Sequence, residues 1–212
     1  MRTYSGAGVI PIIIHEDKPY FVLFMLNRGV LTDAGGSIEK KSSPLDTASR
    51  ELFEESAGLF NIDSSILDNN SVYIDINTNS TDYYRSYITV LNNFRKQDMI
   101  YYYNNLDKIK NYNYNPFSET RGIYLISFDY IHLIDNHIYM NTDTNQVIVL
   151  STRTGRIIKK IYDKFKDLYV FYDKITKKIK KISVKKENND AKTYTYGTHK
   201  TIDIKNLDTF MS

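Results

Sequence analysis

The sequence has no cysteine and no tryptophan, and only four prolines and nine glycines. Without cysteine there is no disulfide, no thiolate-bound zinc, no iron–sulfur cluster and no cysteine nucleophile. A cysteine-free chain suits a reducing compartment. Long hydrophobic runs are missing as well. The longest, Val9–Ile14 and Tyr20–Leu26, reach about a third of the length a helix needs to cross a bilayer. They have the length of buried strands. Met1–Gly6 lacks the apolar stretch of a signal peptide. These absences lead to the expectation of a soluble cytoplasmic protein without a membrane partner.

What is present is enough for one core. Hydrophobic residues make up 42% of the 212, and charged residues 25%, the balance of a globular domain. Lys, Asn, Ile and Tyr are abundant, and their A/T-rich codons point to an A+T-rich genome such as that of some large DNA viruses, protists or bacteria. In the viral case the compartment would be the host cytoplasm. The net charge of +3 hides an asymmetry. Arg153–Lys186 holds thirteen Lys/Arg against three Asp, a net +10, which leaves −7 for the rest of the chain. An acidic body with a basic C-terminal part suggests divided labour.

Ala7–Ile14 and Tyr20–Leu26 read as a hairpin of buried strands. Asp33-Ala34-Gly35-Gly36 reads as a glycine-rich turn. Ser42-Ser43-Pro44-Leu45-Asp46 starts a helix, with a Ser N-cap before a proline in the first helical position. Leu45, Ala48 and Leu52 recur at helical spacing and should face the core, and Ala57-Gly58 should end the helix. Ser71–Ile76, Tyr84–Leu91 and Gly122–Ser127 read as strands, and Gln97–Ile109 as a short helix. Asn111–Ser118 reads as a polar loop, and Phe128–Leu133 as a turn or short helix. Val147–Phe165 reads as one long helix. After Asp167 the texture changes: Leu168–Tyr172, Ile175–Val184, Thr193–Tyr196 and Thr201–Ile204 read as short strands. The expected organisation is an α/β domain over 1–166, with a small basic β-rich extension over 167–212 packed on it.

The informative stretch is Arg50-Glu51-Leu52-Phe53-Glu54-Glu55. Glu51, Glu54 and Glu55 stand three and four residues apart and so share one helical face. Three like charges there repel by about 0.2–0.5 kcal/mol per pair, a sign that a magnesium ion would reverse. Taken alone, such a face is more often just solvated surface. The wider spacing changes that weight.

Gly36, then thirteen intervening residues, then Arg50-Glu51-Leu52-x-Glu54-Glu55 resembles the MutT-like box of the Nudix hydrolases, G-x5-E-x7-R-E-U-x-E-E-x-G-U. The order of elements extends the resemblance to about residue 165. Ser42 stands where the box has its first glutamate, Ala57 where it has a glycine and Gly58 where it has an aliphatic residue. The resemblance implies an α/β/α sandwich with a mixed sheet. It also implies Mg²⁺- or Mn²⁺-dependent hydrolysis of the diphosphate bond in a nucleoside diphosphate linked to another moiety. It makes Glu51, Glu54 and Glu55 the metal ligands, with the Gly36 carbonyl as a further one. Glu51 would also orient or deprotonate water, and Arg50 would hold the acids. Glu39 or Asp46 could substitute for the acid missing at Ser42.

Glu119, just before a strand, is the candidate for a further catalytic acid from a later loop; the plainer reading is a surface acid paired with Arg121. Arg85, Tyr83 and Tyr84 are candidates for touching a substrate base. Lys177, Lys178, Lys180 and Lys181 are candidates for RNA contacts, against the plainer reading of a solvated lysine face. Basic residues on phosphate give salt-dependent binding without sequence choice, and Tyr162, Tyr169, Phe171 and Tyr172 supply rings for stacking. None of the four His residues has metal-ligand spacing. Expected partners are a nucleotide-diphosphate substrate, RNA along 153–186, and a second copy in a homodimer. Two alternatives stay open. One is an mRNA-decapping hydrolase of the same family. The other is a catalytically weak fold that binds a nucleotide or a partner, which Ser42 favours.

Overall fold

The structure is a computed structural model and describes residues 3–26, 29–56, 58–78, 81–92, 120–134, 137–141 and 147–183. The strands are β1 (Thr3–His15), β2 (Lys18–Leu26), β3 (Leu31–Thr32), β4 (Ala34–Ser37), β5 (Ser71–Asn77), β6 (Asp82–Asn92), β7 (Thr120–Ser127), β8 (Ile131–Ile134), β9 (His137–Asn141), β10 (Val147–Val149) and β11 (Ile182–Ser183). The helices are α1 (Pro44–Glu55), α2 (Ser64–Asn69), α3 (Thr152–Phe165) and α4 (Leu168–Thr176).

Eight strands form one mixed sheet around β1. On one side β1 runs parallel to β6, from Thr3↔Asp82 to Ile12↔Val90. On the other it pairs antiparallel with β4 through Gly6–Val9, and further along with β2 through Ile12–His15. The predicted hairpin of β1 and β2 is present. Its two turn residues, Glu16 and Asp17, both have positive φ, the twist that a tight hairpin needs. β1 reads as an unbroken apolar run because both its faces are covered. β8, β9 and β10 form a second, antiparallel sheet.

The buried side chains fall into two clusters, one on each face of the large sheet. Val9, Val22, Phe24, Ala48, Leu52, Phe60 and Leu67 belong to the α1–α2 face. Ile10, Ile12, Phe21, Ile88, Ile157, Ile161 and Phe171 belong to the α3–α4 face. The fold is therefore an α/β/α sandwich with a mixed sheet. Among the described residues no helix is long and apolar enough to cross a membrane.

Several sequence expectations are corrected. Val147–Phe165 is not one helix: its β-branched start forms β10, and α3 begins only at Thr152. Ser151 caps it by accepting from the Thr154 N–H at 3.1 Å. Leu168–Thr176 is a helix, so the extension as described is not β-rich. Its Tyr, Val, Phe and Ile favour strands in isolation, but Leu168, Phe171 and Ile175 recur at helical spacing and are buried. The Asp167 side chain caps the helix start. Of the predicted strand Ile175–Val184, only Ile182–Ser183 is one, paired parallel with Leu91–Asn92 at the end of β6. The expected elements at 97–109, 111–118, 193–196 and 201–204, with Ala57, lie outside the described residues.

α3 ends at Lys166, which adopts the left-handed conformation with φ 63° and donates its N–H to the Tyr162 carbonyl. A side chain pays a steric cost there that glycine does not. Lys166→Gly should therefore raise stability by up to about 1 kcal/mol, seen as a higher Tm in thermal melts.

Candidate active site

α1 is fixed at its start by a reciprocal cap. The Ser43 hydroxyl accepts from the Asp46 N–H at 3.1 Å, and the Asp46 carboxylate accepts from the Ser43 hydroxyl at 2.6 Å. Hydrogen bonding to Ser43 leads the causes that hold the Asp46 carboxyl below its ordinary value. Ala48 and Leu52 are fully buried, and Leu45 packs against the same cluster. This anchoring turns the flank that carries Glu51 and Glu55 toward β4, with Arg50 and Glu54 further round the helix.

Arg50 ties three acids together. Its guanidinium donates to Glu54 at 2.7 Å and to Glu51 at 2.7 Å, and stands 3.5 Å from Glu39. Glu39, not Asp46, thus faces Arg50 on the loop where Ser42 replaces the box glutamate. Glu39 is two-thirds exposed, so that link is weak.

Gly36 lies against Glu51. A Cβ there would come within 2.6 Å of the Glu51 carboxyl carbon and 2.9 Å of Oε2. The glycine thus leaves the space that the carboxylate fills. The neighbouring peptide is equally committed. Gly35 pairs with Gly8, yet its N–H donates to Glu55 Oε1 at 3.4 Å and its carbonyl accepts from Arg153 at 3.0 Å. Gly35 therefore turns both amide groups away from β1, toward the open edge of β4. Paired residues in an antiparallel ladder alternate between exchanging both bonds and none. That alternation turns the Gly36 carbonyl into the ladder with Ala7, so the backbone carbonyl on the open edge belongs to Gly35.

The acids are electrostatically strained. Burial, followed by the neighbouring charge of Asp33, pushes the Glu55 carboxyl well above the ordinary carboxylate range, opposed by Arg153. Glu51 is raised for the same first reason, burial, and Arg50 opposes it. A raised folded value means that ionisation of Glu55 favours unfolding. Its contribution to stability is complete below the unfolded value near 4.5 and is lost as pH rises through the folded one. Metal-free Glu55→Gln should therefore melt above the wild type at neutral pH, with the advantage shrinking toward pH ~5. Thermal melts in EDTA across that range check it.

Behind β4 lies a buried polar network that the sequence did not announce. Asp33 is fully buried. Its carboxylate accepts from the Tyr84 hydroxyl at 2.7 Å, from Arg153 Nε at 2.9 Å and from the Thr154 hydroxyl at 2.8 Å. Arg153 also donates to the Thr32 hydroxyl at 3.1 Å, and its guanidinium lies 4.5 Å above the Tyr84 ring. Burial, then the charge of Asp33, raises the Tyr84 hydroxyl well above its ordinary value.

The other candidates are dispersed. Tyr84 is interior and its hydroxyl is spent on Asp33, so it does not present a face to a substrate base. Arg85 points to the other side of the sheet, held by Asp75 at 2.8 Å between the rings of Tyr4 and Tyr73. Tyr83 lies beside Tyr4, with ring centroids 6.2 Å apart. Lys177, Lys178, Lys180 and Lys181 are exposed at and beyond the end of α4. Glu119 lies outside the described residues.

Oxygen donors on one helical turn, facing a glycine that makes room for them, suit a hard divalent cation in chemistry. As placed, among the described residues, no three acids converge on one point; Glu51 and Glu54 are drawn to Arg50 instead.

No family model and no curated protein sequence matches the chain. Solved structures do. A MutT/nudix family protein from Enterococcus faecalis is similar at 12% identity over 77% of this chain and 62% of that one, with a TM-score of 0.47. The similarity thus spans less than two thirds of that relative. A mutT/nudix family protein from Listeria innocua is similar at 13% identity over 80% and 99% of the two chains, with a TM-score of 0.42. The NUDIX domain of Shewanella oneidensis NrtR, solved with ADP ribose, is similar at 9% identity over 77% and 89%, with a TM-score of 0.40.

Proposed function

We propose that the protein is a Mg²⁺- or Mn²⁺-dependent Nudix pyrophosphohydrolase that cleaves the diphosphate bond of a nucleoside diphosphate linked to another moiety. The observation that carries this reading is the packing of Gly36 on the Glu51 carboxylate, with Arg50 joining Glu51 and Glu54. It joins the two ends of the sequence pattern in space.

Glu51, Glu54 and Glu55 would hold the cation, and the open-edge carbonyl of Gly35 is the backbone oxygen nearest in role. When bound, the cation neutralises charge on the phosphoryl oxygens and lowers the pKa of its water. Glu51, raised by burial, is suited to take a proton from the attacking water. Arg50 fixes the orientation of Glu51 and Glu54 through charge-assisted hydrogen bonds.

The test is turnover, in Mg²⁺ and in Mn²⁺, of nucleoside triphosphates, ADP-ribose, dinucleoside polyphosphates, diphosphoinositol phosphates and capped RNA. Hydrolysis at a diphosphate bond in any of them is the expected result; none in either metal overturns the reading. Exposed Lys177, Lys178, Lys180 and Lys181 favour one particular outcome. Turnover of capped RNA alone, weakening steeply with salt, would make the protein a decapping enzyme.

A further inference from the structure

We propose that Arg153 binds the diphosphate of the substrate, as a second, fixed cation at the rim of the acidic cradle. The inference rests on the reading of the cradle as a diphosphate site. It begins at Gly35, whose outward peptide is gripped from both faces of the sheet. Glu55 of α1 takes its N–H, and Arg153 of α3 takes its carbonyl. The arginine therefore stands at the same open strand edge as the acids, although 98 residues separate it from Glu55 in sequence.

The guanidinium is held rigidly. Nε and Nη2 are committed to Asp33, Thr32 and Gly35, and the Tyr84 ring lies beneath the plane. Nη1 makes no hydrogen bond among the described residues, and 29% of the side chain is open to solvent. Nη1 is open to solvent rather than enclosed, so its two N–H groups are available to a ligand. A planar fork with its orientation already fixed and the two N–H donors of Nη1 unspent is what an anion subsite requires.

Arg50, the other cation on the acids, is already bound to Glu51 and Glu54 and faces Glu39. Among the described residues Arg153 makes its ion pair with Asp33, and its charge is also felt by Glu51 and Glu55. A linked diphosphate carries two negative charges, and a divalent cation already shared among three carboxylates does not neutralise them. Arg153 is the group placed to meet the remainder.

The test uses inorganic pyrophosphate and Mn²⁺ on the full chain, so it does not depend on turnover. Mn²⁺ affinity is read by electron paramagnetic resonance, and pyrophosphate affinity by calorimetry at saturating Mn²⁺. Arg153→Gln should weaken pyrophosphate binding about 10-fold or more, the value of a charge-assisted hydrogen bond. Mn²⁺ affinity should hold or rise, because a cation beside Glu51 and Glu55 is gone. Should the single variant fail to fold with Asp33 left alone, the pair Asp33→Asn with Arg153→Gln carries the same measurement without a buried lone charge.

Unchanged pyrophosphate affinity overturns the proposal. So does a parallel loss of Mn²⁺ and pyrophosphate binding, which would make Arg153 only a positioning residue for Gly35. Failure of the wild type to bind pyrophosphate overturns it as well. A wild type that binds pyrophosphate through Arg153 but turns over no substrate would sink the hydrolase reading and leave this one standing.

Discussion

Glu54→Gln is expected to lower turnover by at least on the order of 100-fold while the fold survives. Changing an outer partner of a catalytic metal costs roughly 10–100-fold, and a direct ligand should cost at least the upper end. Glu54 is the acid whose loss disturbs the structure least. Glu55 is buried and bonded to Gly35, and Glu51 is pressed against Gly36. Glu54 reaches outward to Arg50 at 2.7 Å with 19% of its side chain exposed, and the Gln carbonyl still accepts from Arg50. Steady-state kinetics with whichever substrate the panel yields, beside circular dichroism and a thermal melt, checks both halves. A well-folded variant with wild-type turnover would remove Glu54 from the metal site.

Gly35→Ala should damage the fold, whereas Gly36→Ala should spare the fold and damage the site. A Cβ on Gly35 meets the Gly8 Cα at 2.8 Å and the Ala7 carbonyl at 2.9 Å, with the Tyr84 hydroxyl closer still. Two of these are backbone of the central strand and cannot swing away. Overpacking of this kind costs about 3 kcal/mol or more, equivalent to roughly 6–12 °C in Tm for a domain of this size. The atoms nearest a Cβ on Gly36 all belong to the end of the Glu51 side chain, which can rotate. Gly36→Ala should melt within a few degrees of wild type, yet bind Mn²⁺ more weakly because Glu51 has been displaced. Equal melting temperatures for the two variants would overturn the distinction.

The two glycines also show how far the sequence could be read. Their adjacency marks a turn, and the fourteen-residue spacing to Arg50 marks Gly36 as part of a site. That Gly35, not Gly36, presents its peptide to the open edge depends on the ladder register with Gly8, which no local pattern encodes. Helix α4 was misread for a related reason. Its residues prefer strands when taken singly, and the spacing of Leu168, Phe171 and Ile175 counted only once there was a sheet face to bury them. Ser151 before Thr154 is a cap signal, but the apolar run from Val147 masks the start of α3.

By itself the sequence determined the acid face of α1, its capped start and its apolar seam, because helical periodicity and capping act within a dozen residues. It also determined that β1 and β2 form a hairpin with a buried central strand. Tertiary structure alone decided what stands behind the acids. Asp33 and Arg153 are 120 residues apart and meet because the start of α3 packs against β3, just ahead of Asp33. Pairings at that separation depend on strand order and register, which only the folded chain supplies.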